Sequence, residues 1–516
     1  MTYLRPDWFE THFGSSQLSL SLIGKFIAVG VLLVLISDVP VSWDVAFYFA
    51  RLVIGVLIVA IIFLPIRPAM VMLLMLLVVG RDFDTQPTAS IWQLNIGFVR
   101  PSWIVFGLMA IQVFKLRQSV AIPKGIRYLM VWFATVPLLV GLLYGGITDD
   151  HAIEQWIVDL KFPMMLFGAL LLFSFFVKSR SSELVIIVAA FVGALAARHL
   201  VDLIGFFTGI GPELDAGISR VSEDSAKAMV VFFIFLGLLL MANHRHNIFW
   251  GLLIATPALL LSVAYGTRMI WIEFVVSIPL VLIVIPLRKA LVVFAATAIV
   301  VLVGGGALYM INQASAERVY DRVKYITEGR KQSDFAVDVE YNILSRIDPI
   351  RYAEFVNISD TMDERKSWLW GSGYGGYYTD DVIEFPSDLQ STFPQYSLES
   401  NKFYRSHNFL SQFFHKYGLI GLVLVTSIWV LPGYVLIRKL RRRDGEIVDR
   451  DNLLHLMMLT TSVILLTSML EMTWSGKGFF INGVLLAVVI HYVLGKVADR
   501  HVSDPGLEES LVKWLR

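Results

Sequence analysis

The chain has 516 residues, of which 56% are hydrophobic and only 16% are charged. A formal net charge of +1 gives nucleic acid no footing as a partner, and the absence of cysteine excludes disulfides, thiolate metal sites and cysteine nucleophiles. With aromatics at 13%, the profile is that of an all-α polytopic membrane protein with interfacial aromatic belts, not a soluble globular domain.

A spanning helix needs about 20 apolar residues. The apolar runs predict fourteen spans, at 18–37, 44–64, 67–80, 98–115, 127–146, 159–177, 183–208, 226–242, 247–265, 268–286, 289–311, 408–437, 453–472 and 478–495. No small-residue cleavage site follows the first run, so it reads as a retained span and not a signal peptide.

The loops alternate in charge. "KLRQSVAIPKGIR" (115–127), "KSR" (178–180), "NHRHN" (243–247), "RK" (288–289) and "RKLRRR" (438–443) are basic. The loops between them carry Asp82 and Asp84, then Asp149, Asp150 and Glu154, then Glu213, Asp215, Glu223 and Asp224. Lys and Arg stay on the cytoplasmic side, so both termini are expected inside and the segment 312–406 outside. The predicted organisation is eleven spans over 1–311, a large external loop over 312–406, three spans over 407–495 and a cytoplasmic tail over 496–516. The tail "GLEESLVKWLR" carries a stripe of Leu507, Leu511, Trp514 and Leu515. It reads either as an interfacial amphipathic helix or as a disordered end.

Ionisable residues inside spans are costly and are functional candidates by default. Arg198, His199 and Asp202 lie roughly 22–29 Å up the seventh span, in its outer third. Arg268 opens the tenth span at its outer end, Glu273 follows five residues deeper and Glu471 closes the thirteenth. Lys25 is the exception, in the inner part of the first span. Each has a plain structural reading. Arg198 and Asp202, spaced i,i+4, can neutralise each other. Arg268 can snorkel, and Glu471 can be an interfacial acid. Their convergence on the outer half of one bundle favours an enzyme acting on a lipid-linked substrate there. A proton-coupled transporter places such groups at the midplane.

The external segment has too few apolar runs for a large core of its own. "SAERVYDRVKYITEGRKQSD" reads as helix, and "VDVEYNILSRIDPIRYAEFVNI" carries Arg346 and Arg351. "WLWGSGYGGYY" (368–378) interleaves glycine with aromatics but lacks the strand–turn–helix context of a dinucleotide site. It reads as a turn at the membrane surface, or as flexible backbone whose Trp370 and Tyr374 faces hold a sugar. In "YRSHNFLSQFFHKYGLIG" (404–421), Arg405, Ser406, His407 and Asn408 stand where the chain re-enters the membrane. Ser406 is expected to cap a helix whose positive end disfavours imidazolium, holding the pKa of His407 below about 6.5. His415 lies about 12 Å further along that helix, too far to share a metal ion with His407 and expected to be dispensable. An interfacial His beside a capping Asn is the plain alternative.

Taken in order, "SVAYGTRMIWIEF", "RYAEF…WLWGSGYGGYY" and "HNFLSQFFHKYGLIGLVLV" resemble the O-antigen ligase and Wzy-type polymerase superfamily of bacterial envelope glycosyltransferases, over roughly residues 255–437. The resemblance implies a GT-C-like fold in the inner membrane and a periplasmic active site. It implies transfer of a glycan from an undecaprenyl-diphosphate-linked oligosaccharide to a glycan or lipid acceptor, with inversion and without metal, cofactor or nucleotide sugar. Other envelope polysaccharide assembly proteins and the lipid bilayer are the implied partners. Arg268 and Arg351 match the diphosphate-holding positions, with Arg346 as a substitute for Arg351. His407 matches the general base. Asn408, Arg405, Arg198, Glu273, Tyr374 and Trp370 are the implied substrate-contacting set. Fourteen spans exceed the number usual in the ligases, so polymerisation of O-antigen or exopolysaccharide repeat units is the expectation and ligation to lipid A core the alternative. A lipid-linked glycan flippase would spread polar residues through the full depth of the bundle, and a scaffold would leave the arginines without a role.

Overall fold

A computed structural model describes residues 18–82, 87–97, 99–116, 124–144, 152–177, 181–208, 230–243, 248–265, 349–385, 395–406, 409–441 and 476–498, with residue 13 and scattered positions within 275–299 and 454–465. Among the described residues there are helices, turns and three isolated bridges, and no β-strand. The helices are α1 (Leu20–Ser37), α2 (Asp44–Phe63), α3 (Ile66–Val79), α4 (Pro101–Leu116), α5 (Lys124–Tyr144), α6 (Ala152–Val177), α7 (Ser181–Thr208), α8 (Val230–Asn243), α9 (Ile248–Tyr265), α10 (Pro349–Glu364), α11 (Gln395–Ser400), α12 (Phe409–Arg441) and α13 (Gly476–Ala498).

Among the described residues, six helices are long and apolar enough to cross a membrane, and five shorter apolar helices accompany them. The chain is therefore a multi-pass, all-α membrane protein. These eleven helices fall on eleven of the fourteen predicted runs. The runs 268–286, 289–311 and 453–472 lie largely outside the described residues. So do Arg268, Glu273, Arg346, Glu471, the expected helix over 315–334 and the tail 499–516.

The short third run has a physical explanation. At 14 residues α3 is about 21 Å long, less than a bilayer core, yet every residue from Ala69 to Val79 except Met72 is buried. It is apolar all round because protein surrounds it. It runs parallel to α7 and is tied to it at both ends by charge. Near their starts, Arg67 pairs with Glu183. At the other end, Arg81 donates to Asp202 at 3.0 Å and to Asp38 at 3.2 Å. Arg198 donates to Asp38 at 2.7 Å, to Asp202 at 3.1 Å and to the Val79 carbonyl at 3.3 Å. Two guanidiniums and two carboxylates thus bind the ends of α1, α3 and α7 with no net charge.

The helices reach each other because small residues line the crossing. A Cβ at Gly193 would lie 2.5 Å from the Cβ of Phe26, and one at Gly30 would lie 2.7 Å from that of Ala197. Such small-residue contacts are how helices approach in lipid, where no hydrophobic force draws them together. The structural reading of the Arg198–Asp202 spacing holds, and Arg198 is wholly buried in this tie. Lys25 is exposed on α1.

Removing one member of a buried charge set leaves the others unpaired, at a cost of about 3–5 kcal/mol. Arg198→Leu should therefore lower the thermal midpoint of the detergent-solubilised protein, followed by tryptophan fluorescence. Adding Asp202→Leu leaves Arg81 with Asp38 as a neutral pair and should restore at least half of the loss. An unchanged midpoint in Arg198→Leu would show that the tie contributes nothing.

Candidate functional site

The site is organised by a break in a spanning helix. Gly418 in α12 has φ 64° and ψ −168°. That geometry interrupts the i→i−4 ladder, leaving the carbonyls of His415 and Lys416 and the amides of Leu419 and Ile420 without partners in their own helix. In a membrane such groups must find protein partners. The turn over 368–373 supplies them. Ser372 N donates to the His415 carbonyl at 2.7 Å and Gly373 N to that of Lys416 at 3.0 Å. In return, Leu419 N donates to Trp368 O at 2.8 Å and Ile420 N to Leu369 O at 3.2 Å. Gly371 and Gly373 have φ of 76° and 71°, open to glycine at little cost, and a Cβ on Gly371 would lie 2.5 Å from the Lys416 carbonyl carbon. The Gly-rich turn and the "GLIG" segment are two halves of one junction.

The next residue drives the turn deeper. Tyr374 N donates to the Pro137 carbonyl at 2.9 Å, and its hydroxyl donates to the Phe133 carbonyl. Pro137 has no N–H, so the carbonyl four residues back in α5 lacks its ladder donor; the Tyr374 hydroxyl replaces it. Burial pushes the pKa of that hydroxyl far up, so it stays a donor. Its ring is fully buried and stands edge-on to Tyr417, with centroids 5.9 Å apart. The expectation of two open aromatic faces is therefore corrected. Trp370 is 43% exposed, whereas Tyr374 is a buried wedge.

A buried ion pair locks the insertion. Lys416 Nζ lies 2.7 Å from Asp159 Oδ2, with both side chains 0% exposed. The ammonium also donates to the Gly376 carbonyl at 2.6 Å, and Gly375 N donates to the same Asp159 oxygen at 2.8 Å. Helix α6, helix α12 and the turn thus meet at one pair of charges.

Outside the membrane helices, a small core forms from Ala353, Ile358 and Met362 of α10 with Tyr378, Ile383, Phe385 and Phe403. Phe414 of α12 completes it, which fits a segment too poor in apolar residues to fold alone. Asn357 clamps both sides of the Ile383 peptide, at 2.8 and 2.9 Å.

Helix α10 also reaches the segment before His407. Glu354, fully buried, accepts from the Ser406 hydroxyl at 3.0 Å. Ser406 N donates to Gln412 Oε1 at 2.6 Å, and the Tyr378 hydroxyl donates to the Arg405 carbonyl at 3.1 Å. Residues 405–406 are thus held by α10, α12 and Tyr378. Arg351 is half-buried in the first turn of α10, three residues before Glu354, and Arg405 is exposed. The Ser406 hydroxyl, expected as a cap, donates to Glu354, and the described helix begins at Phe409. His407 and Asn408 lie outside the described residues. His415, expected to be dispensable for the chemistry, lies in the core. It is fully buried, with its ring edge-on to Tyr378 at 5.3 Å.

The structure places Arg351 and Arg405 on the two segments that the Glu354–Ser406 hydrogen bond joins, puts Trp370 in the turn that meets α12 at Gly418, and holds Arg198 within a separate tie. Sequence reasoning missed Asp159, Lys416 and Glu354. Lys416 stands inside the predicted run 408–437, so the rule that picked out Arg198 could have found it; Asp159, at the first residue of its run, passed as a boundary charge. Comparison of the chain with protein-family models finds no match, and comparison with curated proteins finds none.

Because the chain has no cysteine, seating of the turn can be read with one introduced thiol. Ser372 is fully buried, so Ser372→Cys should react very slowly with a membrane-impermeant maleimide. Adding Asp159→Leu strands Lys416 and weakens the lock by about 3–5 kcal/mol. At 1.4 kcal/mol per decade the labelling rate should rise about 100-fold or more. Equally slow labelling in both backgrounds would mean that the ion pair does not hold the turn.

Proposed function

We propose that this chain is a glycosyltransferase of the periplasmic membrane face that polymerises lipid-linked repeat units. It takes a glycan from undecaprenyl diphosphate and transfers it to an acceptor sugar hydroxyl. The proposal includes the topology: fourteen spans in a bacterial inner membrane, both termini cytoplasmic and 312–406 outside. The observation that carries this reading is the Glu354–Ser406 hydrogen bond. It joins the helix bearing Arg351 to the residue preceding His407, which supports reading these two motif pieces, 56 residues apart in sequence, as parts of one site.

In the proposed reaction the acceptor oxygen attacks the anomeric carbon from the face opposite the diphosphate, which inverts that centre. Neutral His407 takes the hydroxyl proton as the new C–O bond forms. The bond from the anomeric carbon to the diphosphate oxygen breaks, and undecaprenyl diphosphate leaves with the electron pair. Guanidinium groups of Arg351 and Arg268 bind its oxygens; they stay charged and present a planar fork to phosphate. Glu354 acts at one remove, by fixing Ser406.

Purified protein with a defined lipid-linked donor should build a ladder of repeat units. His407→Ala should slow transfer by about 10²–10⁴-fold, the contribution of a general base, or about 3–5 kcal/mol of barrier, while donor binding persists. Arg351→Lys should recover only part of what Arg351→Ala loses. Turnover near the wild-type rate in His407→Ala would return that residue to interfacial decoration. Addition of one glycan to a lipid A core acceptor, with no ladder, would make the chain a ligase.

A further inference from the structure

We propose that Arg365, held over the ring of Tyr377 together with Lys402, binds the carboxylate of an acidic sugar, and that the glycan handled by this chain therefore carries uronic-acid residues. The inference rests on the transferase reading for the place of that sugar in a substrate and on the structure for the site.

Arg365 stands just past the C-terminal end of α10, whose last residue is Glu364. A cation suits that end of a helix dipole, which accounts for the sign of the charge but not for where it lies. The guanidinium sits over Tyr377, with Cζ 4.6 Å from the ring centroid, and Lys402 Nζ is 4.9 Å from the same centroid. Tyr404 stands edge-on to that ring, with centroids 5.9 Å apart. Two positive groups therefore share one aromatic ring, between the Gly-rich turn and the segment that leads to Ser406. Arg365 is half-buried, and burial, the largest influence on its guanidinium, works against the charge. Its Nη1 is buried without a hydrogen bond, whereas Nε and Nη2 are neither buried nor bonded. Carboxylates on the same segments are engaged elsewhere. Asp363 accepts from Trp368 Nε1 at 2.6 Å, Asp380 from Phe385 N at 2.9 Å and Asp381 from Asn401 Nδ2 at 2.8 Å. Glu364 is exposed. Among the described residues, no carboxylate lies within ion-pair distance of Arg365.

A guanidinium whose Nε–Nη2 edge is open offers two N–H donors in one plane, and that edge matches the two oxygens of a carboxylate. The Tyr377 ring attracts the cation but accepts neither donor. Aromatic walls with a few placed polar groups are the usual lining of a small-molecule site, and a sugar bearing a carboxylate presents both an apolar ring face and a charge. Position separates this anion from the carrier diphosphate. Arg351 lies in the first turn of α10 and Arg365 beyond its last, 14 residues on, or about 20 Å along the axis. One diphosphate cannot touch both. A diphosphate held by Arg351 therefore leaves Arg365 for a charge on the glycan itself. A sugar phosphate offers comparable oxygens, with more charge and without the planar pair.

The test is binding of two probes to the full chain in phosphatidylcholine nanodiscs: a hexasaccharide of galacturonic acid, and the same hexasaccharide with its carboxyls reduced to neutral galactose. Wild type should bind the acidic probe about tenfold or more tightly than the neutral one, the scale of one charge-assisted contact. Arg365→Gln should raise Kd for the acidic probe by a similar factor and leave the neutral probe unchanged. Arg365→Lys keeps the charge and loses the planar edge; its Kd should rise about threefold or more, and it reads the same contact if Arg365→Gln does not fold. Equal binding of the two probes by wild type, or an unaltered Kd in either folded variant, would overturn the proposal. Displacement of the acidic probe by galactose 1-phosphate at the concentration at which galacturonate displaces it would overturn the assignment to a carboxylate. A parallel transfer assay separates the two readings. Arg365-dependent binding with no glycosidic product from any lipid-linked donor removes the transferase reading and leaves this site. Ladders built equally from acidic and neutral repeat units, with unaltered binding in Arg365→Gln, do the reverse.

Discussion

A broken helix in a membrane must have its open backbone groups filled by protein, and this requirement shapes the whole end of the molecule. The positive φ of Gly418 exposes two carbonyls and two amides in the middle of α12. The 368–373 turn matches all four. Once that match is made, the position of Tyr374 follows, and with it the use of the Phe133 carbonyl that Pro137 leaves unpaired. A segment otherwise too small to fold becomes an extension of the bundle. The residues before His407 are then fixed relative to α10 around a small core.

Among the described residues, two sets of buried charges join several elements at once. Asp38, Arg81, Arg198 and Asp202 neutralise one another and join three helices, a stabilising arrangement with no open valence for a substrate. Asp159 and Lys416 form a tighter pair that also binds backbone from the turn. Replacing such sets with apolar residues is often harmless, while removing one member is severe. Their value is therefore in specifying which elements meet. The lock holds the turn in the break; the tie sets the register of α3 against α7.

Much of the architecture was legible from hydrophobic run length, because a spanning helix leaves no choice of secondary structure. The all-α class and eleven of the helix positions followed from that alone. The neutralising role of Arg198 and Asp202 was legible from their spacing. The splice was not. "GSGYGG" and "GLIG" each read as local punctuation, and nothing in a one-dimensional pattern says that one glycine opens the backbone that another closes. Tyr374 was misread for the same reason: an aromatic among glycines looks like an exposed face, and only the unpaired carbonyl opposite Pro137 explains its burial. The burial of His415 was not legible, because its polarity hid a core position. The pairing of Glu354 with Ser406 spans 52 residues, a separation at which a single sequence offers no signal.

The most direct test of the account is an experimental structure of the protein in a nanodisc with an undecaprenyl-diphosphate-linked donor. The account predicts the 368–376 turn seated in the break of α12, and diphosphate density beside Arg351. A donor bound at the opposite face of the membrane, or a turn lying outside α12, would contradict it.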